Sequence, residues 1–193
     1  PAAADIAGFS AGLELIRDFN DEHEFNALVN VIECKVDSPA EFTAAHAAVR
    51  DQGLVCFWEL PLNDHLNPLI ETLAKLKRET GKKGHRAKIR TGGIVPGAIP
   101  SVESVANFIS VCAQHQIAFK ATAGLHHPIR SSHPLTYAPD APRDVMHGFL
   151  NLFIAVTAAY CGTTDVHELI TILRTENSSD FQVESHGIRW RER

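Results

Sequence analysis

The chain has 193 residues, of which 45% are hydrophobic and 21% charged, and its net charge is -5 with His neutral. That length is enough for one domain with a sizeable core, so a single (βα)-repeat domain over 1–193 is expected. The acidic balance argues against nucleic acid and acidic membrane surfaces as partners and leaves only a local basic pocket for an anionic ligand.

The first element is a helix over Asp5 to Phe19, where Ile6, Phe9, Leu13 and Ile16 recur at helical spacing. VNVIECKV (29–36) is β-branched, bounded by turns, and reads as a strand. Ser38-Pro39-Ala40-Glu41 supplies an N-cap, a Pro at the first helical position and a capping-box Glu, and the helix runs to about Gln52 before Gly53. LVCFWELP (54–61) is the second strand, and Asn67-Pro68 opens a helix that stops near Gly81. RAKIRTGG (86–93) is the third strand with a glycine loop, and Ser101 caps the helix that follows. QIAFKATAG (116–124) is the fourth strand, and a long loop rich in His, Pro and Ser continues to about Pro142. Helices are then expected from Val145 to Tyr160 and from Asp165 to Thr175. The tail reads as two short strands around a Ser-His-Gly turn.

Side chains alternate between the two faces of a strand. On one face fall Val31, Glu33 and Lys35, then Phe57 and Glu59, then Lys88 and Arg90, then Lys120 and Thr122. On the other fall Ile32, Cys34 and Val36, then Cys56, Trp58 and Leu60, then Ala87 and Ile89, then Phe119 and Ala121. A doubly wound sheet is apolar on both faces, whereas a barrel turns polar inside toward its C-terminal mouth. The pattern therefore predicts an α/β fold of the TIM-barrel-like or partial (βα) barrel kind, with parallel strands, C-terminal helices and a short β-hairpin. A closed barrel takes about 250 residues, so either some strands are hidden, or the barrel is incomplete, or the chain is a segment of something longer. The open edges of an incomplete barrel would invite a homodimer or a missing N-terminal segment of the same protein.

AKIRTGG, FKATAGLHHPIR and MHGFLNLF (146–153) resemble an uncharacterised family of bacterial proteins carrying K-x-R-T-G-G, FKATAGLHHP and HGFLN motifs. The resemblance covers roughly residues 29 to 160. It implies a barrel-like protein with additional sequence before this chain's start, and no assigned activity. Lys120-Ala121-Thr122-Ala123-Gly124 and Lys88-Ile89-Arg90-Thr91-Gly92-Gly93 also look similar to strand ends of class I aldolases of the deoxyribose-phosphate type.

Lys120 is the candidate nucleophile or electrostatic stabiliser, since a Lys desolvated beside other cations attacks carbonyls. Glu59, His126 and His127 are the acid–base candidates. Glu33, Lys35, Lys88, Arg90, Thr91, Gly92, Gly93, Thr122, Gly124, His147 and Asn151 are the substrate-binding candidates, the glycines because they let backbone N–H groups approach an anion. Two acids (Glu33, Glu59) against four bases (Lys35, Lys88, Arg90, Lys120) leave a positive surplus.

The leading expectation is a lyase- or aldolase-like enzyme acting on a small anionic carbonyl compound, phosphorylated or carboxylated, with no cofactor and no metal. The alternatives are a metal-dependent hydrolase with His ligands, built from His126 or His127 with His147 and Glu59, and a non-catalytic anion-binding or assembly protein. Four scattered cysteines without a C-x-x-C pair are expected to be reduced, buried thiols. With no leader-like start and no stretch near the roughly 20 apolar residues of a membrane span, a cytoplasmic location is expected.

Overall fold

A computed structural model describes residues 5–23, 26–80 and 84–191. The chain divides into two compact units, one made of residues 1–89 and 115–120 and the other of 90–114 and 121–193.

The first unit alternates helix and strand: α1 (Ile6–His23), β1 (Val31–Lys35), α2 (Pro39–Val49), β2 (Val55–Glu59), α3 (Leu66–Thr80) and β3 (His85–Arg90), with the start of β4 (Phe119–Thr122). The last residue of β3 and the last two of β4 belong to the second unit. The strands form one sheet in the order β1-β2-β3-β4. β1 runs parallel to β2 and β2 to β3, with Glu33 opposite Phe57, Lys35 opposite Glu59, and Glu59 opposite Lys88. The α2 start is as its sequence requires. Ser38 Oγ accepts from Glu41 N at 3.3 Å and the Glu41 carboxylate accepts from Asp37 N at 2.9 Å, which satisfies donors that a helix N-terminus otherwise leaves unpaired.

The predicted division of faces holds in this unit. Cys34, Val36, Cys56, Trp58, Leu60, Ala87 and Ile89 are all buried, as are Phe42, Ala45 and Val49 of α2 and Leu69, Ile70 and Leu73 of α3. Phe42 tilts onto Trp58 with ring centroids 4.6 Å apart. Excluding this apolar surface from water is what holds the helices to one side of the sheet.

A closed barrel is not formed among the described residues: the parallel sheet stops at four strands. The remaining strands pair antiparallel, as two hairpins of two strands each. β5 (Ser131–Pro134) with β6 (Arg143–Met146) lies in the segment expected to be a loop, and β6 takes Val145 and Met146 from the expected start of the next helix. These strands are four residues each, β5 is polar and ends in Pro, and β6 has only Val145 and Met146 as apolar neighbours, so no alternation announces them.

The second unit also holds α4 (Val102–Gln114), α5 (Phe149–Tyr160), α6 (Val166–Arg174) and the C-terminal hairpin β7 (Phe181–Glu184) and β8 (Gly187–Trp190), the last as expected. The three helices pack on one another around Val105, Phe108, Ile109, Leu152, Ala155, Leu169 and Ile172. Among the described residues no helix is long and apolar enough to cross a membrane. Cys34, Cys56 and Cys112 are buried free thiols, but Cys161, expected inside, is exposed just past α5.

Candidate functional site

Four of the predicted ionic residues meet on the first unit's sheet face. Lys88 Nζ lies 2.6 Å from Glu33 Oε2 and 2.7 Å from Glu59 Oε2. Glu33 Oε1 takes a second ammonium, that of Lys120. The result is a chain of alternating charge, Glu59–Lys88–Glu33–Lys120, drawn from β2, β3, β1 and β4. Parity puts all four on one face: Glu59 closes β2, while Glu33 sits at the middle of β1, Lys88 in the second half of β3 and Lys120 near the start of β4.

Exposure divides this chain of charges into two halves. The Lys88 side chain is 9% exposed and Glu59 16%, while Lys120 is 32% and Glu33 43% exposed. The interior half is therefore a closed pair, and the outer half, Glu33 with Lys120, is open to a small molecule. Phe57 lies under it: Lys120 Nζ is 4.3 Å from the ring centroid and the Arg86 guanidinium 5.5 Å, cation–π contacts that help orient the ammonium. The hydrogen bonds from Lys120 and then Lys88 hold the Glu33 carboxyl below its usual range, against the smaller effect of burial. For Lys88, burial alone would push the ammonium down, but its hydrogen bonds to Glu33 and Glu59 together outweigh that and raise it.

The cluster is two acids and two bases, so the expected positive surplus does not gather there. Lys35, on the same strand face, pairs instead with Asp37 at 3.1 Å, with both side chains about half exposed. Arg90 belongs to the second unit, where its Nε donates to Gly92 O at 3.1 Å.

The other candidates lie in the second unit. Thr91 is buried and its hydroxyl donates to Ala123 O at 2.6 Å. Gly92 and Gly124 face each other: a Cβ on Gly92 would stand 2.6 Å from Gly124 Cα, and Gly124 has φ +74. The T-G-G and T-A-G loops are thus pressed together at two positions where a side chain does not fit. A Cβ on Gly93 would meet the Ala98 side chain at 2.5 Å. Thr122, at the end of β4, leaves its buried hydroxyl without a partner.

His147 is 2% exposed and bonds Pro100 O through Nε2 at 2.8 Å. Its proton therefore sits on Nε2, and the lone pair on Nδ1 is buried without a donor. Burial lowers the ring's pKa, against the hydrogen bond to Pro100, and the neighbouring Arg130 adds to the lowering. Asn151 is fully buried and fully employed: Oδ1 accepts from Arg130 N at 3.0 Å, and Nδ2 donates to Ile172 O and Thr175 O, both at 2.8 Å. It ties the 129–130 segment to the end of α6, and Gly148 before it leaves room for Ile129.

Of the His pair, His126 is exposed and His127 half-buried. His127 stacks on His133 with centroids 3.3 Å apart and planes at 6°. The ring nitrogens of two stacked imidazoles point along parallel planes and do not converge on one metal ion. Among the described residues no three His, Cys, Asp or Glu side chains gather into a metal-binding group. His133 in turn lies 2.7 Å from the Ser131 hydroxyl, and both His residues border a groove of about 560 Å³ with Leu135, Tyr137 and Met146.

Sequence reasoning gave Phe57 the right face but no role. The signal was available in its position directly between the strands that carry Glu33 and Lys88. Compared with protein-family models, with curated proteins and with solved structures, the chain matches none.

Proposed function

We propose that the first unit's ionic face is the working surface of a lyase-like enzyme that abstracts a proton next to the carbonyl of a small carboxylated or phosphorylated compound. The observation that carries this reading is the pairing of one reachable carboxylate with one reachable ammonium, Glu33 and Lys120, on one face of the sheet. Lys120 takes the carbonyl oxygen and stabilises the charge that develops there. Glu33 receives the proton. Lys88 and Glu59, behind them, fix the Glu33 carboxylate and so act as positioning residues. Lys120 works without covalency, because an ammonium held by a carboxylate has no lone pair to attack carbon. The likeness of the two Lys strand ends to class I aldolases points to the same substrate class by a different route.

The test is α-proton exchange in D2O, followed by NMR, over a panel of 2-oxo acids, short aldehydes and phosphorylated ketones. Exchange above the buffer rate is expected, falling by about 100-fold in Lys120→Met, the scale of one lost electrostatic or acid–base group. A borohydride-stable adduct on Lys120 would replace the non-covalent role with a Schiff base. Equal exchange by the chain and Lys120→Met would end the enzymatic reading.

A second reading rests on charge balance. Two acids and two bases pair completely, and Lys88 is almost enclosed. An ion cluster of this kind also serves as a non-catalytic strut across the sheet. On that reading no panel member exchanges, and Lys120→Met alters stability alone.

A further inference from the structure

The first unit holds a second polar cluster, on the apolar side of its sheet and unrelated to the ionic face. We propose that Trp58, His85 and His46 form a proton-sensitive latch that fastens α2 to β2 and β3 and lets go in acid.

Trp58 is completely buried, and its indole N–H donates to His85 Nδ1 at 3.2 Å. An indole nitrogen only donates, so His85 must offer a lone pair at Nδ1. Its own proton is then on Nε2 and the ring is neutral. The hydrogen bond thus fixes both tautomer and charge.

α2 closes over this pair. The edge of His46 meets His85 with centroids 4.8 Å apart and planes at 65°. His46 stacks on Phe42 of the same helix, and Phe42 tilts onto Trp58. One face of α2 therefore reads the state of His85 directly.

A proton arriving at Nδ1 turns an acceptor into a donor. Two N–H groups then point at each other, and the Trp58 N–H is left buried and unpaired. The imidazolium also faces His46, which becomes a like charge when it titrates. The groups acting on His46 are Arg50 and Asp51 just beyond α2 and Glu79 on α3; the one acting on His85 is His46 itself.

The direction with pH follows. Burial, and then His46, bring His85 down from 6.5 to about 4; burial, and then Arg50, lower His46 as well. A ring whose folded pKa is depressed contributes stability that is fully present above its unfolded value and is lost as pH falls. The latch's contribution to stability is complete above pH 6.5 and declines below it, and the folded ring itself takes the proton, opening the latch, near pH 4.

The experiment uses the full chain carrying Trp190→Phe, so that Trp58 is the sole indole. Emission should shift to the red with a midpoint near pH 4, where the folded His85 takes its proton and Trp58 loses its enclosed partner. The folding equilibrium, from urea titrations, should already fall on the order of a hundredfold between pH 7 and pH 4. Adding His85→Asn keeps an oxygen for the indole N–H but removes the titration, and the red shift should vanish. An unchanged shift in His85→Asn, or no shift in the Trp190→Phe chain, overturns the latch. Should His85→Asn lack its helical circular dichroism at pH 7, the His85 ring protons decide by NMR. Titration near 4 supports the latch and titration near 6.5 refutes it.

Discussion

Glu33 of β1 reaches past an entire strand to bind Lys88 of β3: its Oε2 lies 2.6 Å from Lys88 Nζ, while its direct neighbour across the ladder is Phe57. Adjacent strands are about 4.8 Å apart, so only two long side chains leaning over an intervening ring can close that span. Phe57 thereby becomes the floor of the ionic chain.

The first prediction concerns that span. Lys88→Met removes the cation shared by two carboxylates, Glu33 and Glu59. Leaving a buried charge without its partner costs about 3 kcal/mol, which should appear as a lower urea midpoint. Adding Glu59→Gln to Lys88→Met should recover part of the loss, because Glu59 is the charge left stranded while Glu33 keeps Lys120. A loss below about 0.5 kcal/mol in the single variant would mean that the pair contributes nothing net.

The second is a pH effect at both ends of the scale. Glu33 is depressed below 4.5 by its two ammonium partners, so its contribution is complete above that value and is lost as pH falls through the lower, folded one. Lys88 is raised above 10.5, so its contribution is complete below that value and is lost as pH rises through the higher one. Urea midpoints of Glu33→Gln should be flatter than those of the parent chain below pH 4.5. Carboxyl NMR titration that places Glu33 at or above the ordinary value would contradict this.

These two predictions mark how far the sequence was legible. The alternation in VNVIECKV and LVCFWELP was enough to sort Cys34, Trp58 and Leu60 from Glu33 and Glu59, because a strand's period of two leaves no freedom once one face is apolar. What it did not convey is competition among charges. Lys35 has the right parity, but Asp37 lies nearer along the chain and takes its ammonium. The β5–β6 hairpin was illegible for a different reason: SSHP and RDVM carry no run of apolar residues, and antiparallel pairing fixes them instead. His147 and Asn151 read alike as substrate-binding candidates, yet each has its own fixed partners, which only tertiary contacts supply.

The third prediction follows from Asn151. Asn151→Ala leaves Arg130 N without its acceptor and takes a donor from the carbonyls of Ile172 and Thr175, of which Ile172 O keeps the Thr175 N–H. Buried groups that lose their partners cost roughly 1–3 kcal/mol each, so the second unit should melt well below the parent, by about 3 kcal/mol or more. Asn151→Asp should be worse still at neutral pH, since a carboxylate would face two carbonyl oxygens. A melting curve superimposable on the parent's would refute the assignment.

The fourth prediction concerns Gly124, which combines φ +74 with a backbone neighbour 2.9 Å from any added Cβ. Gly124→Ala should destabilise by about 2 kcal/mol from the left-handed backbone and the crowding together. Gly97, also at positive φ but with open space around it, should tolerate Ala at about 1 kcal/mol. Equal losses at the two positions, read from thermal melts, would show that crowding plays no part.

Because Gly92 and Gly124 obstruct each other, their substitutions cannot be independent events. Once one loop has been displaced to accept a methyl group, the gap opened is the same gap the other would need. A double-mutant cycle on the two alanines should therefore return less than the sum of its parts, and neither loop can be redesigned, lengthened or grafted while its counterpart is left as found.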